Sequence, residues 1–208
     1  MIAGNAQTVL PGNAVVEIIE GRRKEKEKQI FDYLQICRKG RRVLKDLQIQ
    51  LMFDQANSFY ICSKLCKREL DKMPARHDMY TTPQVVNLAF ACEVYLKTLL
   101  TFSEIDIGRK HKLNELFDAL QDVDKQYIEV CMKRCYPVRS VLGLRKIDME
   151  ADAFVNWRYS YEKTTLSCDI SYLDVLAKIV QTMCSKKLYG ISWDQYCARE
   201  KINSDLWG

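Results

Sequence analysis

A chain of 208 residues, 48% hydrophobic and 28% charged, has ordinary globular composition and the length for one sizeable core plus an appendage. With only 8 glycines and 4 prolines it lacks the turn residues an all-β fold requires, so long helices are expected. Apolar runs such as 85–91 fall short of the roughly 18–20 residues of a membrane span, and residues 1–20 have neither the basic start nor the apolar block of a signal peptide. No membrane contact and a cytoplasmic location are therefore expected.

In chain order, residues 1–14 contain Pro11-Gly12-Asn13 without periodicity and read as a flexible arm. A basic N-terminal helix is expected within 15–42, running over 15–37 with Gly40 marking its end. The net charge of +5 concentrates here: residues 21–46 hold ten Lys/Arg against four acids. The alternating run Arg22 to Lys28 suits a solvated helix face, whereas Arg38, Lys39, Arg41 and Arg42, with no acid among them, suit a nucleic-acid backbone. A longer helix over 43–72 carries Leu44, Leu47, Leu51, Ser58, Cys62 and Leu65 on one face, and Pro74 stops it.

Thr82-Pro83 then reads as a cap followed by proline at the first helical position. The helix after it places Leu88, Ala91, Cys92, Tyr95, Leu96 and Leu99 at core-facing spacing, and Phe90, Val94 and Leu100 widen its apolar surface, so it is expected to be central. Another begins near His111 with Leu113, Leu116, Phe117 and Leu120, and helix resumes from Asp122 to Cys135 before Tyr136-Pro137. Residues 138–149 are ambiguous. Asp148 or Glu150 opens a helix to about Lys163, and a last long one runs over 169–187 to Gly190. The tail, 188–208, holds Trp193, Tyr196 and Trp207 and is expected to pack on the bundle or on a partner. The fold class is all-α: an up-and-down bundle of four to five main helices over 43–187, with an extra N-terminal helix and a C-terminal tail.

Ala151, Phe154, Arg158 and Tyr161 share one helical stripe. An arginine inside an apolar stripe needs a partner. Either Arg158 pairs with Glu162 or another acid and ties the bundle together, or it holds an anion between Tyr159 and Tyr161. Glu93 and Lys97, four apart, read as a structural helical pair. Of the two histidines, His77 reads as exposed, while His111 either caps or packs a helix start or serves as acid or base. The nine cysteines are odd in number and several share core stripes, as Cys92 does, so free thiols in a reducing compartment are expected. Cys62/Cys66 and Cys131/Cys135 each stand four apart and could together form a four-thiolate zinc site, although the spacing is not that of CxxC knuckles. Nucleophile elbows, phosphate-cradling glycine loops and HExxH pairs are absent, leaving hydrolase, nucleotide-hydrolase and zinc-protease readings without support and no cofactor expected.

The order of three stretches carries a resemblance: Glu93-Val94-Tyr95-Leu96-Lys97, then His111-Lys112-Leu113 with Leu116, then Arg158-Tyr159-Ser160-Tyr161-Glu162. Over about 45–187 the chain resembles the HEPN superfamily, helical bundles of prokaryotic toxin–antitoxin, phage-defence and CRISPR-associated proteins. The resemblance implies a four- or five-helix up-and-down bundle, commonly a dimer, whose active members cleave RNA without metal through an R-x4–6-H motif. Arg158 stands at the family arginine, but positions 163–165 are Lys163, Thr164 and Thr165, which exchange protons poorly near neutral pH. The expected function is thus a catalytically degenerate module that binds RNA, a nucleotide or a partner protein. The alternatives are a ribonuclease pairing Arg158 with His111, and a purely protein-binding helical module.

Overall fold

The computed structural model describes residues 12–72, 77–136 and 145–202; among them every regular element is helical. In chain order these are α1 Gly12–Lys72, α2 His77–Phe102, α3 Leu113–Asp118, α4 Asp122–Cys135, α5 Lys146–Met149, α6 Ala153–Arg158, α7 Ile170–Tyr189 and α8 Trp193–Arg199. A 3-10 turn, Ser160–Glu162, follows α6. The fold is all-α. By compactness the chain divides into Met1–Leu47 and Gln48–Gly208.

Two expected boundaries are corrected. Gly40 does not end a helix: α1 is continuous over 61 residues. A helix-interior glycine costs only about 1 kcal/mol, and the Arg, Lys and Leu residues around it are good helix formers. Likewise, Thr82-Pro83 is not a cap, because α2 already begins at His77 and Pro83 lies inside it. Pro83 lies in the second turn, so it leaves the Met79 carbonyl without its i+4 donor, a cost that the extensive burial of α2 outweighs. Most of the arm expected over 1–14, residues 138–144 of the ambiguous segment and Trp207 lie outside the described residues, although helix is present from Gly12.

In the unit Gln48–Gly208, α2 is the centre. Val85, Leu88, Ala89, Ala91, Cys92, Val94, Tyr95, Leu96, Leu99 and Leu100 are all buried, on nearly every side of the helix. Over Met79–Phe102 its mean hydropathy of 1.4 reaches that of a membrane span, contrary to the reading from short apolar runs, yet 67% of that window is buried inside the protein. A helix apolar all round needs cover on all sides, and here other helices provide it.

Their directions follow from the contacts. Tyr60 donates to Asp174 at 3.0 Å, Gln181 donates to Asn57 at 2.8 Å, and Phe53 meets the Tyr189 ring at 6.1 Å, so α1 runs antiparallel to α7. Phe59 against Phe90 and Thr101 against Met52 make α1 antiparallel to α2. Tyr136 against Tyr172 and Lys187 against Asp124 make α4 antiparallel to α7. Helices α1, α2, α4 and α7 therefore form an up-down-up-down bundle. Asn57 Oδ1 sits at its centre, accepting from both Tyr95 and Gln181 and joining three helices in one register.

The apolar face of α1 is also corrected. Leu44, Leu47, Leu51, Ser58, Cys62 and Leu65 are exposed, whereas Ile49, Phe53, Ala56 and Tyr60 enter the core. Both faces carry helical periodicity, but the face with Phe53 and Tyr60 buries aromatic area and outcompetes the aliphatic one. Beyond α7 the described chain, to residue 202, turns back: Gly190 ends α7 at φ 75°, the Ser192/Gln195 capping box starts α8, and Trp193 packs edge-on against Phe53 at 5.2 Å.

The choice of face is open to a stability measurement. Phe53→Ala should cost about 3–5 kcal/mol in denaturant unfolding, whereas Cys62→Ala on the outer face should stay within about 0.5 kcal/mol.

Candidate nucleic-acid interface

The single late helix expected from Asp148 or Glu150 to Lys163 is three pieces: α5, α6 and the 3-10 turn. A tertiary contact breaks it. The Ala151 carbonyl accepts from Leu113 N–H at 3.1 Å, where a continuous helix would direct it to residue 155. Ala151, Phe154, Arg158 and Tyr161 consequently do not share one helix, and Arg158 is exposed rather than lodged in an apolar stripe. Nor does Arg158 pair with Glu162, which is itself exposed; among the described residues Arg158 has no carboxylate partner.

Aromatic rings support Arg158 instead. Its guanidinium lies over Phe154 at 5.1 Å and Tyr159 at 4.6 Å, and Nη2 donates to the Tyr159 hydroxyl at 2.9 Å. Phe154 stacks on Phe90 at 4.9 Å, and Phe90 meets Phe59 edge-on at 4.6 Å. A column of rings thus runs from α1 through α2 to α6 and ends under the guanidinium. At exposed sites each such cation–π contact is worth about 0.5–1 kcal/mol, enough to bias orientation while the outer N–H groups stay open to an anion. Tyr159 meets Tyr161 edge-on at 6.3 Å, and Tyr161 is 79% exposed. One cation and two accessible phenol rings side by side can hold a phosphate and stack a base.

A second cluster lies along the same face of α2. Glu93 is buried, and its Oε1 accepts from Lys97 Nζ at 2.8 Å and from His111 Nδ1 at 2.9 Å. The Glu93–Lys97 pair is therefore formed, with a third member that local spacing could not reveal. His111 caps nothing: Lys112 is the N-cap of α3 and no side chain caps that helix. A proton on His111 Nδ1 is the one that can be donated to the Glu93 carboxylate. The sequence signal for this pairing was a lone glutamate in the most apolar helix, a group that requires donors from elsewhere. Among the described residues no contact joins Arg158 to His111.

The other candidates stand apart. Lys39 and Arg42 are exposed on α1; the side chains of Arg38, Arg41 and His77 lie outside the described residues. The four-thiolate site is not assembled. Cys62 is exposed on the outer face of α1, while Cys131 and Cys135 line a groove between α4 and α7 with Tyr127, Val175 and Ile179. Among the described residues no three His, Cys, Asp or Glu side chains converge as a metal set. Cys92 and Cys184 are buried free thiols as expected, facing the Leu173 and Tyr95 carbonyls, and burial raises the pKa of both.

The segment leading to α6 is held by charge. Arg145 bridges Asp118 and Asp148, and its hydrogen bonds hold both carboxyls below their ordinary pKa. Around α7's start, burial alone would raise Asp169, but hydrogen bonds from Tyr136, the Tyr172 N–H and Lys146 outweigh it and lower its pKa.

Comparison with family models, with curated proteins and with solved structures finds no match to this chain.

Because Asp118 and Asp148 have lowered folded-state pKa values, the stability their pairing contributes is present above the ordinary carboxylate value near 3.9 and is lost as pH falls below it. Arg145→Met should therefore lower the melting temperature at neutral pH, and the gap to the parent chain should close toward about pH 2. Both carboxylates are partly exposed, so the gap should also shrink with added salt.

Proposed function

We propose that the chain is a HEPN-like helical module that binds single-stranded RNA or a nucleotide at the ledge formed by Arg158, Tyr159 and Tyr161, without the family's standard cleavage motif. The observation that carries this reading is a guanidinium held on aromatic rings, lacking a carboxylate partner among the described residues, beside a largely exposed tyrosine. Accessible rings next to an arginine suit single strands, whose bases stack on aromatic faces while the backbone meets the cation. The all-α bundle is compatible with the resemblance, and a role in prokaryotic defence or toxin–antitoxin systems is part of the proposal. Free cysteines throughout the described residues support placing it in a reducing compartment such as the cytoplasm.

A second reading, a metal-independent ribonuclease, is favoured by one observation: the buried Glu93 carboxylate orients His111 as a carboxylate orients a catalytic imidazole. Against it stands the lack of contact between His111 and Arg158, which would have to act on one phosphodiester.

Fluorescence anisotropy with a labelled single-stranded RNA tests the first reading. Tyr161→Ala should weaken binding by about 5- to 100-fold, the range of one lost base stack. Arg158→Ala should weaken it and reduce the salt dependence by about one phosphate contact. Unchanged affinity in both variants would remove the ledge as a binding site. For the second reading, the same RNA should be cut by the parent chain and by neither His111→Ala nor Arg158→Ala; cleavage that persists in either variant excludes it.

A further inference from the structure

Away from the ledge, α4 and α7 leave a surface that the bundle does not use. Between them runs a groove of about 240 Å³, with Tyr127 and Cys131 on the α4 side and Val175, Lys178, Ile179 and Thr182 on the α7 side. The apolar lining does not stop at the groove. Val123, Tyr127 and Val130 stand at i, i+4 and i+7 of α4 and are 66%, 42% and 59% exposed, so Tyr127 joins the groove to an outward-facing stripe. Contiguous apolar surface of this kind, rimmed by polar groups, marks a place of contact.

Volume and shape narrow the occupant. Sites for small organic ligands are concave and enclose roughly 300–1,000 Å³. This groove is smaller, and it is open to solvent where Tyr127 and Cys135 are exposed. It has room for a few side chains of a larger partner. A channel between two antiparallel rods accepts a third rod lying along it, whose i and i+4 side chains fill the gap. A β-strand would need an open sheet edge, and among the described residues there is none.

Charge decides which helix fits. Lys178 lines the groove, and Lys186 places its Nζ 6.0 Å from the centre of the Tyr127 ring. Thr182 stands between them, so the two ammonium groups belong to one rim of α7, about 12 Å apart along the axis. Among the described residues neither has a carboxylate partner, and no carboxylate lines the groove. The acids of the same two helices are engaged or turned away. Asp124 is held by Lys187, Asp174 by Tyr60 and Lys64, and Asp122 by Lys125. Glu129, two residues past Tyr127, stands about 200° round α4 from it.

We infer that the groove between α4 and α7 docks an amphipathic helix of a partner protein, one whose apolar stripe is flanked by carboxylates about two turns apart. The partner's apolar side chains fill the groove and cover Tyr127, and its carboxylates meet Lys178 and Lys186. Tyr127 is the anchor, because a rigid ring offers large contact area at small entropic cost. The lysines stand at the rim and contribute selectivity more than affinity.

Fluorescence anisotropy with a synthetic amphipathic peptide of about 18 residues, leucines along one face and glutamates beside them, tests the inference against a second peptide with lysine at every glutamate position. The full chain should bind the glutamate peptide about tenfold more tightly than the lysine peptide, and Tyr127→Ala should weaken it by about tenfold or more. Lys178→Glu with Lys186→Glu should invert the preference, an outcome that no folding defect imitates. Bound peptide should also protect Cys131 and Cys135 from N-ethylmaleimide, read by mass spectrometry, while exposed Cys62 continues to react. Absence of binding, or equal binding of the two peptides, overturns the proposal. So does a Cys135 already protected in the free chain, which would mean that the protein or a second copy covers the groove itself. Displacement of the glutamate peptide by single-stranded RNA overturns it as well and would assign the lysines to nucleic acid.

Discussion

The burial of α2 is the constraint on which the bundle depends. Buried side chains point from α2 in nearly every direction, so the helix can exist in water only when covered on all sides. Helices α7, α6 and α3 pack against it, and α1 meets it through Phe59 on Phe90 and through Asn57, which accepts from Tyr95 in the interior. The aromatic group of Phe53, Tyr95, Tyr189 and Trp193 closes the end of the bundle where α8 folds back.

Both candidate sites derive from the edge of α2 that carries Glu93 and Lys97. Phe90, Glu93 and Lys97 lie at i, i+3 and i+7, one face of the helix. At one end of that face Phe90 continues the column of rings that supports Arg158; farther along, Glu93 gathers Lys97 and His111. The two ends carry different chemistry. An open guanidinium beside accessible phenols has the chemistry to meet an anion and a stacking surface, whereas a histidine tied to a buried carboxylate has the chemistry for proton exchange or simply satisfies that carboxylate. The glutamate would be costly to bury alone, so a structural role for His111 needs no substrate.

Much of the fold was legible along the chain because helices are local. The 3.6-residue spacing of Leu88, Cys92, Tyr95 and Leu99 marked the central helix, and Gly190 marked the end of α7 by its left-handed backbone. Reading failed where local signals competed. Gly40 resembled a stop but carried too small a penalty to break a strong helix, and Pro83 resembled a start although the helix had already begun. On α1 two faces carried apolar periodicity, and periodicity does not say which one meets the core.

Composition and periodicity by themselves determined that this chain is all-helical and that α2 is the centre of its bundle. Only tertiary structure decided the site. A Leu113 N–H takes the Ala151 carbonyl out of its helix, which ends the stripe thought to bury Arg158 and leaves that side chain outside on a platform of rings. His111 and Glu93 meet across 18 positions for the same reason. Helical propensity acts over one or two turns, whereas hydrogen bonds between distant segments depend on how whole helices pack, and no window along the chain contains that information.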